Sequence, residues 1–556
     1  MASGELLLLL ALHLTLTGLP GAAAALVAAR RGVDSVPVLL GVGLAASGTV
    51  AMLSFWSYFG DRVLGETLSF FVVFGSALAV GWALYGRKID PALLRSLATP
   101  LALWALGSAF LLLLGFVHGG AGDPLATSAT RFSHPLPGDN TLPLYFAEWF
   151  FDNGHRGTAP DYASFLASDR PPLQIGYALS QRAFVWKANG LDYQVLGVVL
   201  QQLWIVGLWA LLLAARVGRV TRALTMVAVL LSSLAILNGF FVWPKLLPAA
   251  MLLAAAALVM TPLWKQARSE LWVAALVAGL CALAMMGHGS SIFGIVPLAA
   301  IAAYRGLPSW RWVGVGLLVG VAVMAPWSAF QKYEDPPGNR LVKWTLAGVV
   351  EIDDRGTMEA IVDSYREAGF SEVLHYKGQN VATVTGGTMA PIALRDAIET
   401  GELGQVVRAL RTVSFFYLLP SLGLLLLAPF AMAVARARGR RNPAEWSFAL
   451  ACFVAFALGT IVWMLLVFGS SNDRTLLHIS SYLLPILATA GAVVGLRATF
   501  PRFALYYVGA SALLTLAVFA PSLDPPAGSS YSALSGILAA AALAGFVATA
   551  VRVQAG

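Results

Sequence analysis

Residues 134–140 read His-Pro-Leu-Pro-Gly-Asp-Asn. They set one carboxylate, Asp139, on a proline-stiffened turn shortly after the apolar run PLALWALGSAFLLLLGFV. A carboxylate held in place can take the proton of a hydroxyl as that hydroxyl attacks, typically a ~10²–10⁴-fold contribution. Gly-Asp-Asn is also ordinary turn chemistry, so Asp139 has a purely structural alternative. Other chemistry-bearing residues stand beside apolar runs. Lys245, in GFFVWPKLLPAAM, either snorkels or binds a phosphate, since the Trp243-Pro244 turn exposes a helix start suited to an anion. His288 lies between two glycines in MMGHGSSIF, with no evident packing purpose. The stretch GSSNDRTLLHISSYLLP gathers Asn472, Asp473, Arg474, His478, Ser481 and Tyr482, of which His478, Ser481 and Tyr482 share one helical face. A polar face entering an apolar run is costly and tends to be functional. Arg474 has the guanidinium geometry for a phosphate, or pairs with Asp473. Lys332, Tyr333, Arg340 and Lys343 either cap such a site or are solvated charges. Asp152 and His155 stand at i and i+3, but no third ligand has a fixed spacing, so no metal is assigned.

Apolar blocks dominate the elements that must carry these groups. Of 556 residues, 58% are hydrophobic and 12% charged, against about 25% charged in soluble domains. Many blocks reach the ~18–20 residues that cross a bilayer as helix, and they lack the ~10-residue alternation of a membrane barrel. The fold expected is an all-α polytopic membrane protein with about 15 transmembrane helices. They lie near 5–29, 36–57, 66–86, 98–118, 194–215, 222–238, 245–262, 271–286, 289–304, 310–327, 413–434, 446–468, 476–496, 503–520 and 532–551. The helix pair around Trp243-Pro244 has a re-entrant unit as its alternative. The net charge of +8 comes from basic residues in the short connections, which reads as topology and not as a nucleic-acid surface. Cys281 and Cys452 fall inside apolar runs, and no disulfide is expected. The N-terminal run has no positive charge before it and Arg30-Arg31 after it, so it reads as a first span rather than a signal peptide.

Every short connection on one side is basic, which makes that side cytoplasmic and puts the N-terminus and two long loops, 119–193 and 328–412, outside. The C-terminus then lies in the cytoplasm. In the first loop, TLPLYFAEWFFDNG sets Leu144, Phe146, Trp149 and Phe150 among Glu148 and Asp152, an amphipathic segment for the membrane surface. A second amphipathic helix is predicted to start at Asp169-Arg170-Pro171-Pro172. In the second loop, TMEAIVDSYREAGF has helical spacing and EVLHYKGQNVATV looks strand-like, so a small α/β lid or subdomain is expected. The organisation reads as three N-terminal spans (1–96), a transmembrane core with its first outer loop (97–327), the outer subdomain (328–412) and C-terminal spans (413–556).

The order of span, rigid turn with one acid, interfacial helix, polar loop, second interfacial helix and span resembles the GT-C superfamily of integral-membrane glycosyltransferases. HPLPGDNTLPLYFAEWFFDNG is similar to that family's acid-bearing first outer loop. The resemblance implies sugar transfer from a polyprenyl-phosphate donor to a lipid, glycan or protein acceptor, on the outer face of a bacterial cytoplasmic membrane. It makes Asp139 the general base, and inversion follows because no second carboxylate nucleophile is visible. Lys245, His288, Arg474 and His478 fall to the donor phosphate; His134, Glu148, Asp169, Arg170, Tyr333 and Arg340 fall to the acceptor or the sugar. Asn140 stands where many members carry a second acid, and the loop has no DxD, so neither a divalent metal nor another cofactor is expected. The partners implied are membrane lipids and the lipid-linked sugar, with no nucleic acid. Two alternatives remain: an O-antigen ligase or polymerase-like transferase, which relies on Arg and His in a late outer loop, and a lipid or solute transporter.

Overall fold

A bilayer interior offers no water to open N–H and C=O groups, so long apolar runs satisfy their backbone as helix. The computed structural model describes residues 3–132, 136–162, 164–185, 190–384, 389–407, 420–439, 443–469, 481–519 and 529–552. Among them there is no strand, only one isolated bridge between Tyr162 and Phe165. Four long helices come first: α1 (Ser3–Arg30), α2 (Val36–Gly60), α3 (Arg62–Leu84) and α4 (Pro91–Gly115). Asp61 and Asp90 cap α3 and α4, each accepting from backbone N–H groups of the first turn. The first long loop holds α5 (Pro124–Thr130), α6 (Leu142–Asn153) and α7 (Leu173–Arg182). Next come α8 (Gly190–Gln201), α9 (Trp204–Ala214), α10 (Arg219–Leu230), α11 (Ser233–Phe241), α12 (Leu246–Val259), α13 (Trp264–Ala267), α14 (Leu271–Gly287), α15 (Ile292–Arg305) and α16 (Trp310–Ala329). The second long loop gives α17 (Arg340–Ala347), α18 (Thr357–Val384) and α19 (Met389–Thr400). The last helices are α20 (Pro420–Ala437), α21 (Pro443–Leu466), α22 (Leu483–Thr499), α23 (Pro501–Phe519) and α24 (Ala533–Arg552).

Among the described residues nine helices are long and apolar enough to cross a membrane, or ten if α10 and α11, bent by 54°, form one span. Four further apolar helices, including α12 and α14, are only 10–17 residues long. The expected fifteen therefore include several segments shorter than a full crossing. Helix α12 explains why short ones persist: all of its residues are buried, and a helix apolar all round belongs in the middle of a bundle. It packs against α9, α14, α2 and α15.

Two expectations for the loops are corrected. The strand-like EVLHYKGQNVATV is the second half of α18, after a kink at Gly369 (φ 69°). Its Tyr376, Lys377 and Asn380, at i, i+1 and i+4, share one helical face. Lys377 and Asn380 donate to the Val467 carbonyl at 2.7 and 2.8 Å, and Asn380 also to Met464 O at 3.0 Å. These bonds satisfy open carbonyls at the end of α21, a reward that the local β-propensity does not register. The described part of 328–412 is thus helical. Helix α7, expected to lie along the membrane surface, is instead wedged between spans, with Leu173, Gln174, Ile175, Gly176, Tyr177, Leu179 and Gln181 buried. The Tyr177 hydroxyl donates to Ser47 Oγ (3.0 Å) and Gln181 Nε2 to Thr17 Oγ1 (2.8 Å), which ties it to α2 and α1.

The wedge depends on Gly176. A Cβ built there would lie 2.1 Å from the Ala51 carbonyl oxygen of α2, a backbone contact that cannot swing aside. Gly176→Ala should therefore push α7 off α2 and cost about 1–3 kcal/mol. A clear fall in the melting temperature of the detergent-purified protein is the expected reading; an unchanged melt would show that α7 is not held there.

Candidate functional site

The chain brings several of the expected residues to one cleft at the loop end of the bundle. Its walls include Asp139, Asp169, Arg170, Gln174, Trp243, Pro244 and His288. The loop before α6 supplies Asp139, and the turn before α7 supplies Asp169 and Arg170. The α11–α12 break supplies Trp243, and the α14–α15 break supplies His288. The cleft is tight, about 30 Å³, room for about one or two waters.

The break between α11 and α12 presents open backbone groups inside an apolar interior, and buried glutamines satisfy them. Gln201 Oε1 accepts from Leu246 N (3.0 Å) and Leu247 N (3.1 Å), capping α12 from α8. Gln174 Nε2 donates to Val242 O (3.0 Å) and to the Tyr193 hydroxyl (2.6 Å), while Gln201 Nε2 donates to Gln174 Oε1 (3.1 Å). Gln194 Nε2 donates to Phe240 O at 2.6 Å. Val242 itself takes the left-handed region, φ 56°, which a β-branched residue adopts only where its surroundings impose it. The break carries Lys245 beside the cleft. Its ammonium sits over the rings of Trp243 (5.3 Å) and Tyr482 (4.9 Å), and the Asp139 charge acts on it. These glutamines went unnoticed in the sequence. Their signal is the placement of amides inside GLDYQVLGVVLQQLWIVG, where a polar side chain needs a reason.

Arg170 joins the acids. Its Nη2 donates to Asp139 Oδ2 at 3.1 Å, and its guanidinium lies over Phe165 (4.1 Å) and Trp243 (6.0 Å). Its Nε is buried and has no hydrogen-bond partner among the described residues. Asp169 points the other way, accepting from Leu166 N (3.0 Å) and Arg340 Nη1 (3.1 Å). Burial pushes the Asp169 carboxyl up, and the Leu166 N–H, Arg340 and Arg170 work against that rise. His288 Nδ1 accepts from Ser290 N at 3.1 Å, which leaves the ring proton on Nε2. Its ring lies 5.9 Å from that of Trp243.

Other expected residues are placed elsewhere. Arg340 is 5% exposed and is spent on structure, donating to Val350 O (2.8 Å), Ser164 O and Asp169. Lys343 is fully buried and donates to Asp353 O (2.6 Å) and Oδ1 (2.5 Å), so neither residue is a solvated charge. With Ser168 N donating to Asp335 Oδ2 (2.7 Å) and Gln331 Nε2 to Ser168 O (3.0 Å), Arg340 straps the 164–170 turn to the second loop, whereas the bonds of Lys343 stay within that loop. Tyr333 is 71% exposed and does not line the cleft. Glu148 pairs with Arg182 at 3.3 Å in a separate pocket, and burial raises its carboxyl despite that arginine. His155 Nδ1 binds the Gly60 carbonyl at 3.0 Å. Arg474, His478 and His134 lie outside the described residues. No three His, Cys, Asp or Glu side chains are grouped to hold a metal ion among the described residues. No family model, curated protein or solved structure matches the chain.

Asn140 turns its back on the cleft. Buried at 1%, it donates through Nδ2 to Ser128 Oγ (2.8 Å) and Leu125 O (3.0 Å), locking the Asp139 turn to α5. A carboxylate there would lose both donors and face a carbonyl oxygen. Asn140→Asp should cost about 1–3 kcal/mol, read as a lower melting temperature that is recovered at acid pH, where a protonated Asp donates again; a wild-type melt at neutral pH would contradict this role.

Proposed function

We propose that this chain is an integral-membrane glycosyltransferase of GT-C type, which moves a sugar from a polyprenyl-phosphate donor to an acceptor hydroxyl with inversion. The reading rests above all on Arg170, a buried guanidinium that neutralises Asp139 and still holds an Nε–H without an acceptor among the described residues. Lys245 and His288 stand nearby, so one carboxylate and three groups able to donate to an anion meet at the loop end of an apolar bundle. The reaction needs a base and a phosphate site within one cleft, on opposite sides of the anomeric carbon. A donor phosphate would draw Arg170 toward itself, since a charge-assisted guanidinium–phosphate bond competes well with a carboxylate. That exchange would free Asp139.

The acceptor oxygen then attacks the anomeric carbon while its proton passes to Asp139. The bond from that carbon to the phosphate oxygen breaks, and polyprenyl phosphate leaves with the electron pair. The cations at the cleft meet the charge as it develops. On the positive-inside reading this end lies outside the cytoplasm, and the resemblance implies a bacterial cytoplasmic membrane, where a lipid-linked sugar would arrive at headgroup depth. Asp169, bonded to Arg340, orders the turn carrying Arg170 and is a positioning residue in this scheme.

The test is transfer of radiolabelled sugar from a polyprenyl-phosphate donor by the purified protein, with a membrane lipid and glycan extract as acceptor. Asp139→Asn should lower turnover by ~10²-fold or more with donor binding equal to or tighter than wild type, since it removes the carboxylate that competes for Arg170, and Arg170→Gln should weaken donor binding. Full activity in Asp139→Asn would point to the ligase or polymerase class, and donor binding without turnover by the wild type to a transporter.

A further inference from the structure

At the end of the bundle away from the cleft, α1, α2 and α4 enclose a cavity of about 370 Å³. Its walls are almost wholly apolar, from Leu26, Leu39, Leu44, Leu97, Leu101 and Trp104 among others. Engineered apolar cavities of about 150 Å³ already stay dry and take up benzene, so a space this size with such walls calls for an apolar occupant. Polar groups do occur at the floor, but each is engaged. Ser47 Oγ donates to Thr17 O (2.8 Å), Thr17 Oγ1 accepts from Gln181 Nε2 (2.8 Å), and Trp104 Nε1 donates to Val199 O (2.8 Å). The close crossing of α1 and α2 at Gly21 and Gly43, where an added Cβ would lie 2.6 Å from the Gly43 carbonyl oxygen, keeps the inner wall rigid.

Depth identifies the occupant. From Thr17 to Leu26 on α1, and from Leu94 to Trp104 on α4, the cavity extends about 15 Å at 1.5 Å per residue. That is half of the ~30 Å hydrocarbon core, one leaflet deep. It opens sideways between α3 and α4, where Leu84, Ala98 and Leu101 are exposed. Its shallow end is basic. Arg30, one turn beyond Leu26, donates to the carbonyls of Ala83 (3.2 Å) and Tyr85 (2.8 Å) on either side of the lining residue Leu84. Arg31, Lys88 and Arg95 are exposed close by in sequence. Two acids, Asp34 and Asp90, share that end, and the Asp90 carboxylate is taken up by Ala92 N.

We propose that this cavity seats one acyl chain of an anionic glycerophospholipid from the leaflet at the Arg30 end, with the lipid phosphate on the basic rim. Anionic lipid is favoured because basic residues at a membrane surface attract it. The site is independent of the sugar-transfer reading. Wild-type protein in nanodiscs is irradiated with phosphatidylglycerol or phosphatidylcholine carrying the same mid-chain diazirine, and the adducts are mapped by peptide mass spectrometry. Phosphatidylglycerol should label Thr17–Leu26, Leu39–Ser47 and Leu94–Trp104 several-fold more than phosphatidylcholine does. The exposed face of α16, at Leu317 and Leu318, should take both alike. Ala22→Phe and Ala98→Phe, which fill the cavity from different helices, should abolish the cavity adducts and leave those on α16. Lys88→Gln with Arg95→Gln, both on the surface, should bring the two lipids level. Equal labelling of the wild-type cavity by both lipids, or cavity adducts that persist in a folded filling variant, would overturn the proposal; the wild-type comparison decides alone if neither filling variant folds.

Discussion

A helical bundle in an apolar medium cannot leave a backbone break unsatisfied, and this structure is arranged around one such break. Between α11 and α12 the chain turns through Val242, Trp243, Pro244 and Lys245, with open N–H and C=O groups far from water. Gln201 takes two of the N–H groups and Gln174 takes the Val242 carbonyl. Because each of these bonds lies in a low-dielectric interior, losing one would strand a polar group at full desolvation cost. The glutamines are therefore what allow a lysine and a tryptophan to be delivered by a break within the bundle instead of by a long surface loop. They also couple the cleft's parts. Gln174 lies in the first turn of α7, four residues after Arg170, so the bond that holds Val242 ties the segment carrying Arg170 to the break carrying Lys245.

The charges of the cleft follow from that frame. Two acids and two arginines alternate, Asp139 with Arg170 and Asp169 with Arg340. Buried ion pairs are poor sources of net stability, and here they order a turn. Arg340 and Asp335 anchor the 164–170 segment from the second loop, so a loop distant in sequence sets the position of Arg170 and adds Leu341 to the cleft wall. As it stands the cleft is tight, with room for about one or two waters. In the proposed reading, the Asp139–Arg170 bond is the part of this clasp that a donor phosphate replaces.

Much of this was legible in the sequence, for physical reasons. Apolar blocks foretold helices because membrane-embedded backbone has few options. Pro171-Pro172 foretold the start of α7 at Leu173, since proline fits the first helical turn. Asp139, Lys245 and His288 could be picked out because a polar residue near an apolar run is costly and conspicuous, whereas Arg170 entered through the resemblance, as a sugar or acceptor contact. The rest depended on partners remote in the chain. EVLHYKGQNVATV became helix because Lys377 and Asn380 found open carbonyls near the end of α21, about 90 positions away. Arg340 read as a site contact or a solvated charge because its acceptors, Ser164 and Asp169, lie in the other loop. Asn140 read as a missing second acid, whereas its amide is a structural donor into α5.

In the proposed mechanism the resting and donor-bound states differ at the Asp139–Arg170 bond. A cryo-electron microscopy structure with a non-transferable polyprenyl-phosphate sugar bound would test this. The expected result has the phosphate within about 3 Å of Arg170, with Lys245 and His288 around it and Asp139 released toward the anomeric carbon. A phosphate bound away from this cleft, or one bound with the Asp139–Arg170 pair intact, would contradict it.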